Sequence, residues 1–213
     1  MIRAVRLLLA AGIAALAAAC VQSSAPTRYY ALSALPPTAQ DRKPLVIGVG
    51  PVAMADYLER PQIVTRSTAM ELQLHDFDLW VETLETIFPR TLGDNLSNLL
   101  ATDRVVLMPA PREVRLDYQV EVDVLRFDAM RPGEVTLDAG WRIYGRDGSD
   151  LLRDGRSRIT RPVTLPAPDA ESPAGSRAAF ASEAEMPAIV AAMSEATTEL
   201  SRQIATIIAS SRR

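Results

Sequence analysis

The sequence predicts an α+β fold: a single domain with a mainly antiparallel sheet and two helices packed on one face, in the order β-β-β-α-β-β-β-α. Three observations predict it. In Leu116–Val124 the even positions are apolar and the odd ones polar, and alternation returns from Val135 to Tyr144, the period of strands with one core face. Apolar residues recur at spacings of three and four from Val81 to Leu99 and again from Val190 to Ile208, the period of a helix with one buried face. The run from Leu45 to Val52 is almost wholly apolar and is bounded by prolines, as a short buried strand would be.

Taken in order, Arg28–Ser33 has strand-like composition, and Pro36, Pro37 and the polar run to Pro44 form a connection. After the Leu45–Val52 strand, Pro61 blocks a continuing helix, so Gln62–Arg66 reads as a short strand. Met70–His75 is a further candidate, with Leu72 and Leu74 on one face. A helix is expected from Asp78, a good N-cap residue, with Val81, Leu84, Phe88, Leu92, Leu96 and Leu99 facing the core. Pro89 should kink or split it, and it should end near Thr102.

Leu125-Arg126-Phe127 breaks the strand alternation, which predicts a bulge. Arg131-Pro-Gly133 makes a turn, Asp147-Gly148 is a hairpin signal, and a further strand lies within Leu151–Pro162. Residues 166–177 read as a mobile loop by composition. A final helix runs to about Ala209 and buries Val190, Met193, Thr197, Leu200, Ile204 and Ile207 or Ile208. Ser182 with Glu185 fits a capping box, while Pro187 leaves the start of this helix open.

The chain has 213 residues with one Cys and one His. A disulfide needs two Cys, so no internal disulfide exists, and a Cys/His zinc site lacks ligands. With 23 basic and 26 acidic residues the formal net charge is -3, which does not suggest a nucleic-acid partner. Lys43 is the only lysine, so the basic residues are otherwise arginine. Aromatic residues make up 5% of the chain, so the core is aliphatic.

Residues 1–19 read as an export signal: Arg3 and Arg6 precede the apolar run Leu7–Ala19, which is too short for a comfortable membrane span. The end of that run, Leu16-Ala-Ala-Ala-Cys20, resembles the lipobox of bacterial lipoproteins. The resemblance implies cleavage before Cys20 and acylation of its thiol and new amine. The alternative is an ordinary signal peptide that leaves a free thiol. Val21, rather than Asp, favours the outer membrane under the enterobacterial sorting rule. Residues 20–27 would be the lipidated Cys and a short tether, and 28–213 the folded domain. Loss of residues 1–19 leaves 21 basic and 26 acidic residues, a formal charge of -5.

Site chemistry is sparse. His75 lacks a nucleophile elbow around any Ser and reads as structural, at a strand end. Glu71, Asp76 and Asp78 lack the order of a calcium loop and read as a capped helix start. Gly48 and Gly50 do not complete a dinucleotide fingerprint. Arg153, Arg156, Arg158 and Arg161 form a basic stripe, read as a solvated edge strand, with anionic headgroups or an acidic partner as the alternative. No catalytic, metal or cofactor residue is assigned.

Ile47-Gly-Val-Gly-Pro-Val52, followed by Tyr57-Leu-Glu-Arg-Pro-Gln-Ile-Val-Thr-Arg66, resembles the PqiC (YmbA) family of ABC-type transport auxiliary lipoproteins. Tyr29–Leu32, the Trp80/Glu82/Leu84 helix start and Ala139/Trp141 match in order. The resemblance implies a non-enzymatic, outer-membrane-anchored periplasmic lipoprotein. Its partner would be a mammalian-cell-entry (MCE) domain protein of an intermembrane lipid transport system, with a ring-like homo-oligomer as a further expectation. Tyr57, Leu58, Arg60, Pro61, Gln62 and Arg66 are the candidate partner or self-association surface, with packing of the fold as the alternative role of the same residues. The alternatives are a structural envelope lipoprotein without a transport role and, third, a periplasmic hydrolase.

Overall fold

A computed structural model describes residues 26–38, 41–111, 113–130, 133–164 and 174–211. The expected export signal and Cys20 lie outside the described residues. Eight strands and two α-helices follow one another: β1 (Arg28–Tyr30), β2 (Val46–Met54), a 3-10 turn (Asp56–Leu58), β3 (Gln62–Arg66), β4 (Leu72–Trp80), α1 (Leu84–Leu100), β5 (Arg104–Leu107), β6 (Tyr118–Met130), β7 (Glu134–Tyr144), a 3-10 turn (Arg146–Gly148), β8 (Leu151–Pro162) and α2 (Ala174–Ser210). The fold is α+β, as expected, but the order is β-β-β-β-α-β-β-β-β-α, with one strand more than expected before each helix.

All eight strands belong to one mixed sheet. The antiparallel pairings, β3–β4, β6–β7 and β7–β8, carry most of its length. Parallel pairings join β1 to β4, β5 to β2, and both β2 and β3 to β6. β6 is the central strand. β7 runs the length of one of its edges, whereas β2 and β3 share the other edge end to end. The sheet therefore forks along β6, with β2–β5 as one branch and β3–β4–β1 as the other.

The meander from β6 to β8 follows the sequence pattern closely. Val120, Val122, Val124, Val135, Leu137, Ala139 and Ile143 are buried in the core. The expected bulge is present: Val124 pairs with Ala139 and Arg126 with Asp138, so Leu125 is the extra residue. It reverses the phase of β6. Phe127 and Ala129 then face the core in place of even-numbered residues. On the helix side Phe88 and Phe127 meet edge-on at 5.8 Å.

Four expectations are corrected. Asp78 does not cap a helix. It and Trp80 lie in β4, where β1 pairs with Asp78–Trp80 and the Asp78 carboxylate accepts hydrogen bonds from Arg28 Nε (2.8 Å) and Tyr30 Oη (3.1 Å). These partners stand some fifty residues away, out of reach of a local reading, and they extend the strand until Thr83 becomes the N-cap. Val81 is accordingly exposed rather than part of the helical stripe. Pro89 does not split α1. It lies in the second turn, where it removes one bond to the Glu85 carbonyl, and fully buried Phe88, Leu92 and Leu96 hold the helix on the core. β5 was not anticipated. It has four residues, too few for a periodic signal, and follows the left-handed Ala101 (φ 52°) that ends α1. α2 is helical from Ala174, upstream of the Ser182/Glu185 capping box, and runs through Pro187. It thus takes in the last four residues of the expected loop 166–177, whose earlier part lies outside the described residues.

The segment before β2 fastens the helices together. Leu35 N–H donates to Asn95 Oδ1 (2.7 Å), Asn98 Nδ2 donates to the Leu35 carbonyl (2.9 Å), and Asn95 Nδ2 reaches Ser201 Oγ (3.1 Å). Across β7 and β8, Trp141 Nε1 donates to Ser157 Oγ (2.9 Å), which donates to Gln203 Oε1 of α2 (2.7 Å). Gly155 makes room for this indole, since a Cβ there would stand 2.6 Å from Trp141 Cζ2. Gly155→Ala should therefore displace Trp141 and cost about 1–3 kcal/mol by overpacking. Urea unfolding followed by tryptophan emission checks this; an unchanged midpoint and native spectrum would refute the packing role.

Candidate functional site

The Tyr57–Arg66 block occupies the fork in the sheet. β2 leaves β6 at Met54, opposite Val124, and β3 joins it again at Thr65, opposite Ala129. Between these points the inner edge of β6 has no strand partner. The 3-10 turn places Tyr57 there. Phe127 N–H donates to Tyr57 Oη at 3.2 Å, so the phenol takes the place of a strand carbonyl. The same hydroxyl donates to Asp128 Oδ2 at 2.8 Å.

Asp128 is fully buried and collects two further bonds: Arg66 Nε donates to Oδ2 and Arg126 Nε to Oδ1, each at 2.9 Å. The Arg66 guanidinium also lies over the Tyr57 ring, 5.6 Å from its centroid. Burial, reinforced by the Asp128 charge, pushes the Tyr57 phenol up to about 12. Burial opposes the charge on Arg66, but its bond to Asp128 holds the guanidinium above its ordinary value.

Leu58 and Ile63 belong to the core, and the Pro61 carbonyl accepts Trp80 N–H at 2.7 Å. Tyr57, Leu58 and Arg66 are thus engaged inside the domain. Pro61 is exposed and Arg60 and Gln62 are half-buried, so these three carry the outward face of the block, beside exposed Asp56 and Glu59. Arg60 Nε and Arg126 Nη2 are buried without a hydrogen-bond partner.

A second arginine–aspartate cluster lies on the same helix-free face. Asp138, buried on β7, accepts Arg156 Nε (2.6 Å) and Nη2 (2.9 Å) and Arg158 Nε (2.9 Å) and Nη2 (2.6 Å). The Arg156 bond, aided by Arg158 and opposed by burial, holds the Asp138 carboxyl below its ordinary range. The expected arginine stripe is therefore divided. Arg156 and Arg158 bind Asp138, whereas Arg161 turns to the helix side and pairs with Glu199 at 3.1 Å. Strand alternation places Arg153 on the helix side as well.

Other candidates are structural. His75 lies within β4 rather than at its end, and its Nε2 and the buried Thr65 Oγ1 are 2.9 Å apart. Glu71 accepts Ser67 Oγ (2.8 Å) and Asp78 binds Arg28, so the acidic set does not converge. Among the described residues no group of three or more His, Cys, Asp or Glu could hold a metal ion. Gly48 is a packing position, where a Cβ would stand 2.7 Å from Leu116 Cδ1. A groove of about 600 Å³, lined by Lys43, Leu45, Asp117, Tyr118, Arg146 and Leu152 among others, opens at the end of the sheet where β2 and β8 begin. No described helix is long and apolar enough to cross a membrane.

Sequence reasoning missed Asp128, Arg126 and Asp138. The one signal was the break at Leu125, which moves Asp128 to the face opposite Phe127.

The model of a family described as the ABC-type transport auxiliary lipoprotein component matches residues 30–205. No curated protein matches the chain. A solved uncharacterized protein is 19% identical, covering 86% of this chain and 99% of its own, with a TM-score of 0.64. A Xanthomonas campestris protein of the family DUF330 is 16% identical, covering 87% and 98%, with a TM-score of 0.63. Both likenesses concern the fold.

Asp128→Asn should cost about 3–5 kcal/mol, because it leaves two largely buried guanidinium groups unpaired. Asp138→Asn should cost clearly less, since Arg156 and Arg158 are more than half exposed and regain water. Urea unfolding of both variants at neutral pH measures the difference. Tyr57→Phe should cost about 1–3 kcal/mol by stranding Phe127 N–H and removing one of the two bonds to Asp128 Oδ2, which keeps Arg66. The raised phenol pKa also has a pH signature. Its contribution is complete below pH 10 and lost as pH rises through about 12, so the alkaline fall in stability should be shallower in Tyr57→Phe. Parallel alkaline profiles would contradict this.

Proposed function

We propose, from the premise that this chain belongs to the ABC-type transport auxiliary lipoprotein family, that it is the outer-membrane-anchored docking component of an MCE-type intermembrane lipid transport system. The observation that carries the reading is the extent of the match. It spans residues 30–205, which include all the strands but the first two residues of β1 and nearly all of α2. In this reading Cys20 bears the acyl chains and the domain stands in the periplasm. Several chains, at about 0.8 kcal/mol per buried CH₂, make such an anchor stable.

The protein performs no reaction of its own in this role. The side chains best able to do chemistry, His75, Asp128 and Asp138, are bound to neighbours that give each a packing or pairing task. What the domain offers is surface. Pro61 is exposed, with half-buried Arg60 and Gln62 on either side, on a segment locked beneath by Tyr57, Leu58 and Arg66. Arg beside Pro on a rigid segment suits an interface, because little conformational freedom is lost on contact.

Photo-crosslinking in cells from positions 60, 61 and 62 tests the docking role. The expected product is an adduct with an MCE-domain protein. Absence of that adduct from all three positions, under conditions that capture other envelope complexes, would overturn docking through this surface. Intact mass of the membrane-extracted protein should begin at Cys20 and include acyl mass; an unmodified thiol would refute the anchor. A lipidated protein without a transport partner, whose loss weakens the envelope but leaves lipid exchange unchanged, would instead be a structural envelope lipoprotein.

A further inference from the structure

The outer edge of β4 is half open. β1 pairs only with Asp78–Trp80, so among the described residues Leu72–Phe77 has no strand neighbour on that side. Apolar side chains concentrate there. Among the described residues ten large apolar side chains are exposed, and six of them (Tyr29, Met70, Leu72, Leu74, Phe77 and Val81) lie on β1, on β4 or directly beside β4. Met70, at the turn between β3 and β4, is 95% exposed, and Leu72, Leu74 and Phe77 are 37%, 44% and 47% exposed. Leu72 and Leu74 leave the same face of the hairpin. The apolar tip lies at the end of the sheet where β3 and β6 finish.

The direction of the chain suggests what the tip meets. β1 runs parallel to β4 with Arg28 opposite Asp78, so the polypeptide preceding Arg28 departs toward the hairpin tip. Leu72 is six residues before Asp78, about 20 Å along the strand. The seven residues from Val21 to Thr27 span at most about 25 Å. A tether of that length, following the strand, brings Cys20 level with the tip and not far beyond it. A bilayer that holds acyl chains on Cys20 then stands at the same level.

We propose that the β3–β4 tip is a second membrane contact, with Met70, Leu72, Leu74 and Phe77 entering the headgroup layer of the phospholipid leaflet that holds the acyl chains. This rests on lipidation of Cys20. Glu71 and Asp76 keep the contact shallow, since carboxylates stay hydrated. A tether restricts position but leaves the domain free to rotate. The second contact fixes its orientation and points the end of the sheet with the Lys43–Tyr118 groove away from the bilayer.

The test uses the full protein extracted from membranes, carrying Met70→Cys or, at the opposite end of the sheet, Ser149→Cys. Because the chain has a single Cys, which acylation consumes, each variant has one free thiol for a nitrobenzoxadiazole label. The proteins are reconstituted into phosphatidylethanolamine–phosphatidylglycerol vesicles, with and without lipids bearing a shallow spin-label quencher. The expected result is loss of most emission at position 70 and none at 149. Adding Leu72→Ser, Leu74→Ser and Phe77→Ser to Met70→Cys should restore emission without lowering Tm, since these side chains are exposed. Vesicle-bound protein with both positions unquenched overturns the tip contact and leaves lipidation standing. Protein that does not float with vesicles and takes label at Cys20 overturns lipidation, and the tip contact with it. A disulfide-linked Met70→Cys dimer with unquenched label makes the tip a contact between two copies and also overturns the proposal.

Discussion

A strand that borrows two neighbours in succession along one edge leaves backbone groups stranded where the first has left and the second has not arrived. β6 is in that position between Val124 and Ala129. An unpaired buried N–H costs as much as a lost hydrogen bond, so the fork is stable only if something fills it. The Tyr57 hydroxyl does so by accepting Phe127 N–H and donating to Asp128 in one position. Once the phenol is fixed, the rest follows. Asp128 must be buried beside it, arginines must neutralise Asp128, and the 3-10 turn must keep its length. Phe127, held by its amide, can then meet Phe88 of α1 on the opposite face. One hydroxyl thus couples the two branches of the sheet to the helical layer.

The helix-free face is covered by side chains instead of a further layer. Arg66 and Arg126 converge on Asp128, and Arg156 and Arg158 on Asp138. A planar guanidinium can lie along a sheet and give two parallel bonds to one carboxylate, as Arg156 does. An ammonium group offers a point charge and cannot. The near-complete use of arginine over lysine in this chain is consistent with that geometry. Each buried carboxylate receives two cations, which makes these spots locally basic on a chain with an acidic total.

The parts of the fold that were legible in the sequence are those governed by near neighbours. The β6–β8 meander declared itself through alternation, and the bulge at Leu125 through its interruption, because a strand's two faces are set residue by residue. What stayed hidden depended on distant partners. Asp78 looks like a helix cap until Arg28 and Tyr30 claim its carboxylate from fifty residues away. Tyr57 and Arg66 stood out as interface-prone residue types, but the carboxylate they share is 71 and 62 residues further along. Only Arg60, Pro61 and Gln62 keep the outward position that reading required. β5, four residues long, has no local signal of its own and exists because β2 offers it an edge.

The placement of β1 has a mechanical consequence. Its three residues lie parallel to β4, so a pull from the N-terminus directed along the strands draws β1 toward the β3–β4 turn. Tension applied from the N-terminus therefore pulls β1 lengthwise against its neighbour. Such a load falls on all its ladder bonds together, and on the Arg28–Asp78 pair with them, in shear. A strand of three residues can in this way pass tension from the chain that precedes it into the sheet.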